Sequence, residues 1–420
     1  MQVVVIAGGK GTRIASVNSE IPKAMIPVDG MPVLERQLLM AKRYGITQFL
    51  FIVGHLGTHI VDYFGDGSRW GVDINYFHEQ QPMGTAGALA LLREQLTDDF
   101  FVFYGDTVMD IDLDAMLKTH VESHADATLL VHPNDHPYDS DLVELDQQGF
   151  IRTIHHKPHA PGLVCRNLVN ASLFILSPRL LGCIPHQPKS HIERDVLPAA
   201  IAAGMKLRAH VTAEYIKDMG TPDRYEAVCN DVRTGIVARF NHSHPRPAIF
   251  LDRDGTINRE VNLLCQPEQL QLIEGAAEAI RLINRSGYLA IVVTNQPVIA
   301  RNLCTIEQLE HIHATLETML GQQQAYLNAI YYCPHHPDRG YPEERPEYKV
   351  DCLCRKPKPG LLLQAASQWN IDLAHSYMIG DSNRDQEAGM AAGCRQAIQI
   401  ATNQPNALLQ AVRQLLQNQE

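Results

Sequence analysis

Short runs of β-branched and aromatic residues recur along the chain, each followed by a polar or glycine-containing turn and then a stretch of helical periodicity. Val3–Ile6, Phe49–Val53 and Phe100–Tyr104 are continuously apolar, as strands buried on both faces must be. Between the first two, Pro32–Tyr44 carries a helical repeat. Strand–helix alternation of this kind predicts a largely parallel sheet covered by helices. The pattern holds to about residue 235 and is then broken by Asn241-His242-Ser243-His244-Pro245-Arg246-Pro247, a polar stretch whose prolines cannot continue a regular element. A new strand, Ala248–Leu251, opens a second series that includes Ala290–Val293 and Tyr377–Ile379. The expected class is α/β with two doubly wound domains, 1–235 and 247–420, joined by a linker over 236–246. No internal repeat is visible, and no hexapeptide β-helix follows the first domain.

Composition adds limits. The 420 residues are 45% hydrophobic and 20% charged, enough for two ordinary soluble cores. A formal net charge of -11 argues against a nucleic-acid partner, which requires a basic surface. No stretch approaches the ~20 apolar residues that span a bilayer, so no membrane partner is expected. Nor does the start of the chain read as a targeting segment. Nine cysteines, mostly scattered, fit a reducing cytoplasm. Small-molecule partners are left, and a homo-oligomer stays open.

The chemistry of the second half is concentrated at strand ends. Asp252-Arg253-Asp254-Gly255-Thr256 follows the first strand, where open α/β sheets bind their ligands. One carboxylate there can attack a phosphoryl group, and a second two residues on can protonate the leaving oxygen and later activate water. Thr294-Asn295-Gln296 ends another strand and offers hydrogen-bond donors to phosphoryl oxygens. Arg355-Lys356-Pro357-Lys358-Pro359-Gly360 supplies cations. Gly380-Asp381-Ser382-Asn383-Arg384-Asp385 offers carboxylate to Mg²⁺, which takes one or two protein carboxylates beside phosphate and water. An Asp-x-Asp-Gly turn alone is as often a solvated turn as a site; four such pieces in this order are not.

Cys333-Pro334-His335-His336 and Cys352-Leu353-Cys354 flank a polar, proline-rich loop. Three thiolates and one imidazole make a closed tetrahedral Zn²⁺ site, which is structural because no position is left for water. Either His335 or His336 could supply the imidazole.

In the order nucleophile, Thr-Asn, Lys and acidic pair, this half resembles the haloacid dehalogenase-like phosphatases. Within them, the Cys-x-His…Cys-x-Cys loop running into Arg-Lys-Pro-x-Pro-Gly looks like the D,D-heptose 1,7-bisphosphate phosphatases, with histidinol-phosphate phosphatases as near relatives. The resemblance implies Asp252 as nucleophile, Asp254 as acid/base, and Mg²⁺ held by Asp252, the Asp254 carbonyl and Asp381. It implies phosphoryl binding by Thr294, Asn295, Gln296 and Lys356, a sugar-phosphate contact from Arg355, and Zn²⁺ on Cys333, His335, Cys352 and Cys354. Two stretches depart from the family: Pro297-Val298 replaces Ser-Gly, and Glu260-Val261-Asn262-Leu263 replaces His-Gly-Tyr-Val where relatives grip the sugar.

In the first half, Gly8-Gly9-Lys10-Gly11-Thr12-Arg13 follows the first strand, so backbone can approach phosphates and Arg13 can clamp them. It lacks the Gly-Lys-Ser/Thr of a P-loop. Pro22-Lys23, Gln81-Pro82-Met83-Gly84-Thr85, Gly105-Asp106 and Lys217-Asp218-Met219-Gly220 add a cation, a second glycine turn and two carboxylates. Each could be a routine turn. Together they resemble the sugar-1-phosphate nucleotidyltransferases, with a Rossmann-like mixed sheet. The resemblance implies a catalytic Mg²⁺ on Asp106 and Asp218, and a nucleoside triphosphate against Gly8, Gly9, Gly11, Thr12 and Arg13. Lys23 would hold the reacting phosphates, Gln81, Gly84 and Thr85 would lie on the base side, and Lys157, Asn170 and Glu193 on the sugar side. His156-Lys157-Pro158 and Asn170-Ala171-Ser172 depart from the family's Glu-Lys-Pro and Asn-Ala-Gly, which suits an unusual sugar.

Together the halves predict a bifunctional enzyme. One half would dephosphorylate a heptose 1,7-bisphosphate; the other, resembling the guanylyltransferases, would convert the 1-phosphate to GDP-D-glycero-α-D-manno-heptose. Two alternatives stand beside it: a histidinol-type phosphatase fused to a mannose-1-phosphate guanylyltransferase, and a phosphatase with a non-catalytic nucleotide-sugar sensor.

Overall fold

The structure is a computed structural model; it describes residues 1–9, 20–187, 189–338, 340 and 344–417. The chain divides into two compact units. One comprises Met1–Val131, Val143–His156 and Asn170–Asn241; the other comprises His132–Leu142, Lys157–Val169 and His242–Glu420. Two stretches from the first half of the sequence, 132–142 and 157–169, thus belong to the second unit.

The principal strands of the first half are β1 (Gln2–Ile6), β2 (Gln48–Val53), β3 (Asp73–His78), β4 (Phe100–Tyr104), β5 (Thr107–Asp110), β6 (Ala127–His132), β7 (Leu142–Leu145), β8 (Ile151–His155), β9 (Val169–Leu176), β10 (Leu207–Val211) and β11 (Tyr215–Asp218). The main sheet runs β8-β7-β9-β4-β1-β2-β3, with β6 joining β9 to β10. β1 is parallel to β2 and β4, whereas β9 is antiparallel to β4, so the sheet is mixed as expected. The helix anticipated at 32–44 is α1 (Val33–Arg43), which buries Leu34, Leu38 and Ala41 against this sheet's core. β5 and β11 form a separate antiparallel ribbon.

The second unit centres on five strands: β12 (Ala248–Leu251), β13 (Leu289–Asn295), β14 (Ala329–Cys333), β15 (Tyr377–Gly380) and β16 (Gln396–Gln399). All pairings are parallel, in the order β14-β13-β12-β15-β16. Its helices include α2 (Ala276–Ser286), α3 (Ile306–Gly321), α4 (Gly360–Trp369), α5 (Asn383–Ala392) and α6 (Ala407–Gln417). β12 is buried along its whole length, which is why its four residues are all apolar. Thr305 and Gln308 cap α3 reciprocally, satisfying donors that a helix start leaves open. The 236–246 stretch makes local structure and hydrogen bonds. It holds a helical turn at Ile236–Arg239, Asn241 donates to Asp110 at 2.8 Å within the first unit, and Arg246 exchanges backbone hydrogen bonds with Asn370 and Asp372 within the second. Among the described residues no helix is long and apolar enough to cross a membrane.

Candidate functional site

In the second unit, β12, β13 and β15 end side by side and deliver the expected groups to one place. Asp252 leaves β12 and is fixed by its backbone N–H donating to the Ile379 carbonyl at 2.9 Å. The next turn needs Gly255, at φ +78, because a Cβ there would lie 2.2 Å from an Asp381 carboxylate oxygen. Lys356 is 3% exposed and its ammonium reaches Asp252 Oδ1 at 2.9 Å, Asp385 Oδ1 at 2.6 Å and the Val293 carbonyl at 2.7 Å. Carboxylate oxygens of Asp252, Asp381 and Asp385 come within 4.8 Å of one another. Burial opposes the charge on Lys356, but Asp252 and Asp385 outweigh it and hold the amine above its ordinary value. Burial raises the Asp252 carboxyl; Lys356 pulls it back, and Asp385 and Asp254 push it further up. A divalent cation fits a site of this kind, where acidic groups outnumber the cation between them.

Asp254 is turned into a buried network. The Arg253 guanidinium, with no exposure, forks onto it with contacts of 2.8–3.1 Å; Gln296 Nε2 and Asn258 Nδ2 each donate at 2.9 Å. Gln296 also donates to Thr294 Oγ1 at 2.9 Å, so both side chains are buried parts of this network. Asn295 faces the lysine instead. Its carboxamide exchanges two 3.0 Å hydrogen bonds with the Lys356 backbone, fixing that residue from β13. Arg355 donates to the His335 carbonyl at 3.0 Å, tying the basic loop to the cysteine loop.

The cysteine loop closes as a four-donor set. Cys333, Cys352 and Cys354 bring their sulfurs 3.1–3.5 Å apart, and His335 Nδ1 lies 3.3 Å from Cys354. Contact with Cys333 first, and then with Cys352 and His335, draws the Cys354 thiol down to about 5. Three sulfurs and one imidazole at these separations fit a tetrahedral Zn²⁺. His336 is turned away, accepting from the Asp338 N–H at 3.2 Å, so of the two histidines His335 joins the cluster.

Sequence reasoning assigned no role of their own to three groups: Asp385, Arg253 and His313. Asp385 had a signal, because Ser382-Asn383-Arg384-Asp385 is a capping box; its carboxylate receives the Ser382 N–H at 3.0 Å and thereby faces Lys356. Arg253 and His313 had none beyond being polar residues that the fold buries.

In the first unit, Gly11, Thr12 and Arg13 lie outside the described residues. Lys23 forms an ion pair with Asp106. The β5–β11 register sets Asp218 opposite Thr107, and the Met219 N–H donates to the Asp106 carbonyl at 3.2 Å, so the two anticipated metal-binding carboxylates come from adjacent positions. Arg224 holds Asp218 at 2.8 Å. Gly8 packs on Glu79, whose carboxyl burial pushes up; a Cβ at Gly8 would lie 2.2 Å from that carboxylate. Gly84, at φ +77, passes so close to the Ser190 carbonyl that a Cβ would lie 2.2 Å from it. Thr85 therefore meets the 192–196 turn: its hydroxyl accepts from the Ile192 N–H at 2.8 Å and donates to Glu193 at 3.3 Å, while Tyr104 donates to Glu193 at 2.5 Å. Gln81 is exposed and Asn170 caps the Ser172 N–H at 3.2 Å. Lys157 belongs to the second unit, where it pairs with Asp139 at 3.1 Å.

Two family models match the chain. Residues 2–235 match the family described as nucleotidyl transferase, and residues 353–407 a family of haloacid dehalogenase hydrolase-like proteins. Over 159 residues, 38% of the chain, it is 40% identical to a D-glycero-beta-D-manno-heptose-1,7-bisphosphate 7-phosphatase from Yersinia pestis, covering 82% of that protein. The corresponding protein of Escherichia coli (strain K12) is 41% identical over 159 residues, 81% of its length. A structure described as a glucose-1-phosphate thymidylyltransferase from Bacillus anthracis superposes with a TM-score of 0.51 at 21% identity, over 56% of this chain and 95% of that one, a likeness of fold. The chain is an enzyme of two activities, belonging to the nucleotidyl transferase family through residues 2–235 and to the heptose-bisphosphate phosphatase family through the match at 40% identity.

Proposed function

We propose that the second unit removes the 7-phosphate from D-glycero-D-manno-heptose 1,7-bisphosphate and that the first transfers a nucleotidyl group, GMP from GTP, to the resulting heptose 1-phosphate. The observation that carries the first reaction is the buried Asp252–Lys356–Asp385 group beside Asp381. Asp252 attacks phosphorus in line, the sugar O–P bond breaks, and Asp254 gives the leaving oxygen its proton. Asp254 then takes a proton from the water that hydrolyses the aspartyl phosphate. Lys356 neutralises the phosphoryl oxygens, Asn295 keeps it in place, and Thr294 stands at the same strand end. Asp252, the Asp254 carbonyl and Asp381 would hold Mg²⁺, which neutralises phosphoryl charge when bound. Cys333, His335, Cys352 and Cys354 would hold a structural Zn²⁺ that fixes the loop carrying Arg355.

For the transferase the sugar phosphate is its own nucleophile, so positioning and charge neutralisation suffice. Asp106 and Asp218 would hold its Mg²⁺, Lys23 meets the reacting phosphates, and Glu193, oriented by Tyr104 and Thr85, faces the sugar. The fusion supports the order of steps, since the product of one half is the substrate class of the other. It also constrains the anomer: the phosphatase leaves the 1-phosphate untouched, so the anomer that enters is the one the transferase must accept. The curated relatives are named for the β-anomer, whereas the guanylyltransferase reading is of the α-series. Thiol ligands of this kind suit a reducing cytoplasm.

The test supplies both anomers of the bisphosphate, and histidinol phosphate, with each of the four common nucleoside triphosphates. Phosphate release from a heptose bisphosphate and pyrophosphate release with GTP are expected. A clear preference for histidinol phosphate would reject the sugar, and no pyrophosphate with any triphosphate would reject the transferase.

A further inference from the structure

This inference rests on the phosphatase chemistry proposed above: as acid/base, Asp254 needs its carboxylate aimed, and one guanidinium supplies three of the five hydrogen bonds that hold it. Arg253 spends Nε and Nη2 on Asp254 and places Nη2 also 3.1 Å from Gln296 Oε1. Its remaining edge, Nη1, lies 3.2 Å from Nε2 of His313. A guanidinium only donates, so Nε2 accepts and the ring proton sits on Nδ1. His313 is 1% exposed on α3, its ring 5.5 Å from Tyr332 of β14. Burial, then the charges of Arg253 and Arg166, hold the imidazole well below its ordinary pKa, consistent with a neutral acceptor. One turn along α3, Glu317 is gripped by Arg166 at 2.5 and 3.1 Å and receives the Asn167 N–H at 3.0 Å. Thr318 exchanges hydrogen bonds with Cys165. The helix that carries His313 is thus pinned by the 157–169 segment of its own unit.

A leucine would fill the same space in an apolar core. A histidine kept neutral against a buried arginine supplies what leucine cannot, an acceptor for Nη1. A carboxylate there would be a further buried charge drawing the guanidinium away from Asp254.

We propose that His313 is a positioning residue of the phosphatase reaction, holding the far edge of Arg253 so that the near edge fixes the Asp254 carboxylate.

The test compares His313→Leu with His313→Gln in the full chain, measuring phosphate release from the heptose bisphosphate. General acid–base catalysis contributes ~10²–10⁴-fold, and a misaimed group forfeits part of it. For His313→Leu, kcat is expected to fall about 10–100-fold with KM changed less than about threefold; His313→Gln, which keeps an acceptor, should recover to within about fivefold of the parent. Bound zinc and the nucleotidyl-transfer rate, unchanged in both, certify the fold. An unchanged kcat in His313→Leu, or a glutamine variant no better than leucine, would overturn the proposal. Should the leucine variant lose its zinc, Arg253→Lys takes its place. It keeps the charge and loses the fork, so kcat should fall with KM held; an undiminished kcat would overturn the proposal equally.

Discussion

Replacing Lys356 with methionine removes the cation that Asp252 and Asp385 share at 2.9 and 2.6 Å, while nearly matching the side-chain volume. The loss can be sized. Carboxylate oxygens of Asp252, Asp381 and Asp385 lie within 4.8 Å of one another, and two unit charges at that separation repel by about 3.5 kcal/mol at an effective dielectric of ~20. Breaking a buried pair costs ~3–5 kcal/mol for the same reason, an uncompensated charge. Metal-free Lys356→Met should therefore be about 3–4 kcal/mol less stable in its second unit, roughly a 10 °C fall in Tm for a domain of this size. Removing one of the stranded carboxylates as well, in Lys356→Met/Asp385→Asn, should recover more than half of that. Trp369 lies in the second unit and Trp70 in the first, so a Trp70→Phe background lets Trp369 fluorescence follow unfolding of the phosphatase half alone, in urea with EDTA. Phosphate release by Lys356→Met should fall at least about 100-fold, the scale of losing a charge-stabilising group. A single variant as stable as the parent in EDTA, or a double variant no better than the single, would refute this account of the buried charges.

Asp252→Asn should abolish phosphate release and leave nucleotidyl transfer to authentic heptose 1-phosphate intact; loss of both activities in a folded protein would contradict separate sites. Burial, and next the Asp252 charge, raise the Asp381 carboxyl, so the folded metal-free chain binds that proton more tightly than the unfolded one. Its stability should then rise as pH is lowered from neutral through the elevated pKa, and Asp381→Asn should flatten that rise while eliminating phosphate release. Thermal unfolding in EDTA from pH 7.5 to 5 checks this, and an equal slope in both proteins would argue against it. Stripping zinc, or Cys352→Ser, should loosen the 333–354 loop and raise the phosphatase KM several-fold while the nucleophile survives; proteolysis of the loop and unchanged kinetics in metal-free protein are the two readouts to set against each other.

Much of this was legible because strand ends position ligands and strands announce themselves by unbroken apolar runs. Val3–Ile6, Phe100–Tyr104 and Ala248–Leu251 form as the pattern predicts, with bounds extended by at most one residue. Asp252, Lys356 and Asp381 follow from motif order. What escaped was contact made at a distance. Arg253 reads as a spacer between two aspartates, yet the fold removes it from solvent and spends its donors on Asp254, Gln296 and His313. His313 reads as one of several polar positions on a helix, and only the placement of α3 shows what it faces. The stretches 132–142 and 157–169 lie within the nucleotidyl transferase match but fold into the second unit, because Arg166 finds its partner in Glu317 and Tyr138 donates to the Thr318 carbonyl at 2.9 Å. Nothing local in either stretch records those partners. His335, the histidine that the family resemblance implied, has its ring beside Cys354, whereas His336 accepts from the Asp338 N–H.

We expect one chain to perform two reactions in sequence on one sugar. Phosphorus NMR of the full-length protein with heptose 1,7-bisphosphate, GTP and Mg²⁺ tests it directly. The expected record is loss of the 7-phosphate signal first, then equal amounts of pyrophosphate and a nucleotide-sugar diester, with one phosphate released for each. Pyrophosphate appearing ahead of phosphate, or phosphate release with no diester formed under any nucleoside triphosphate, would contradict it.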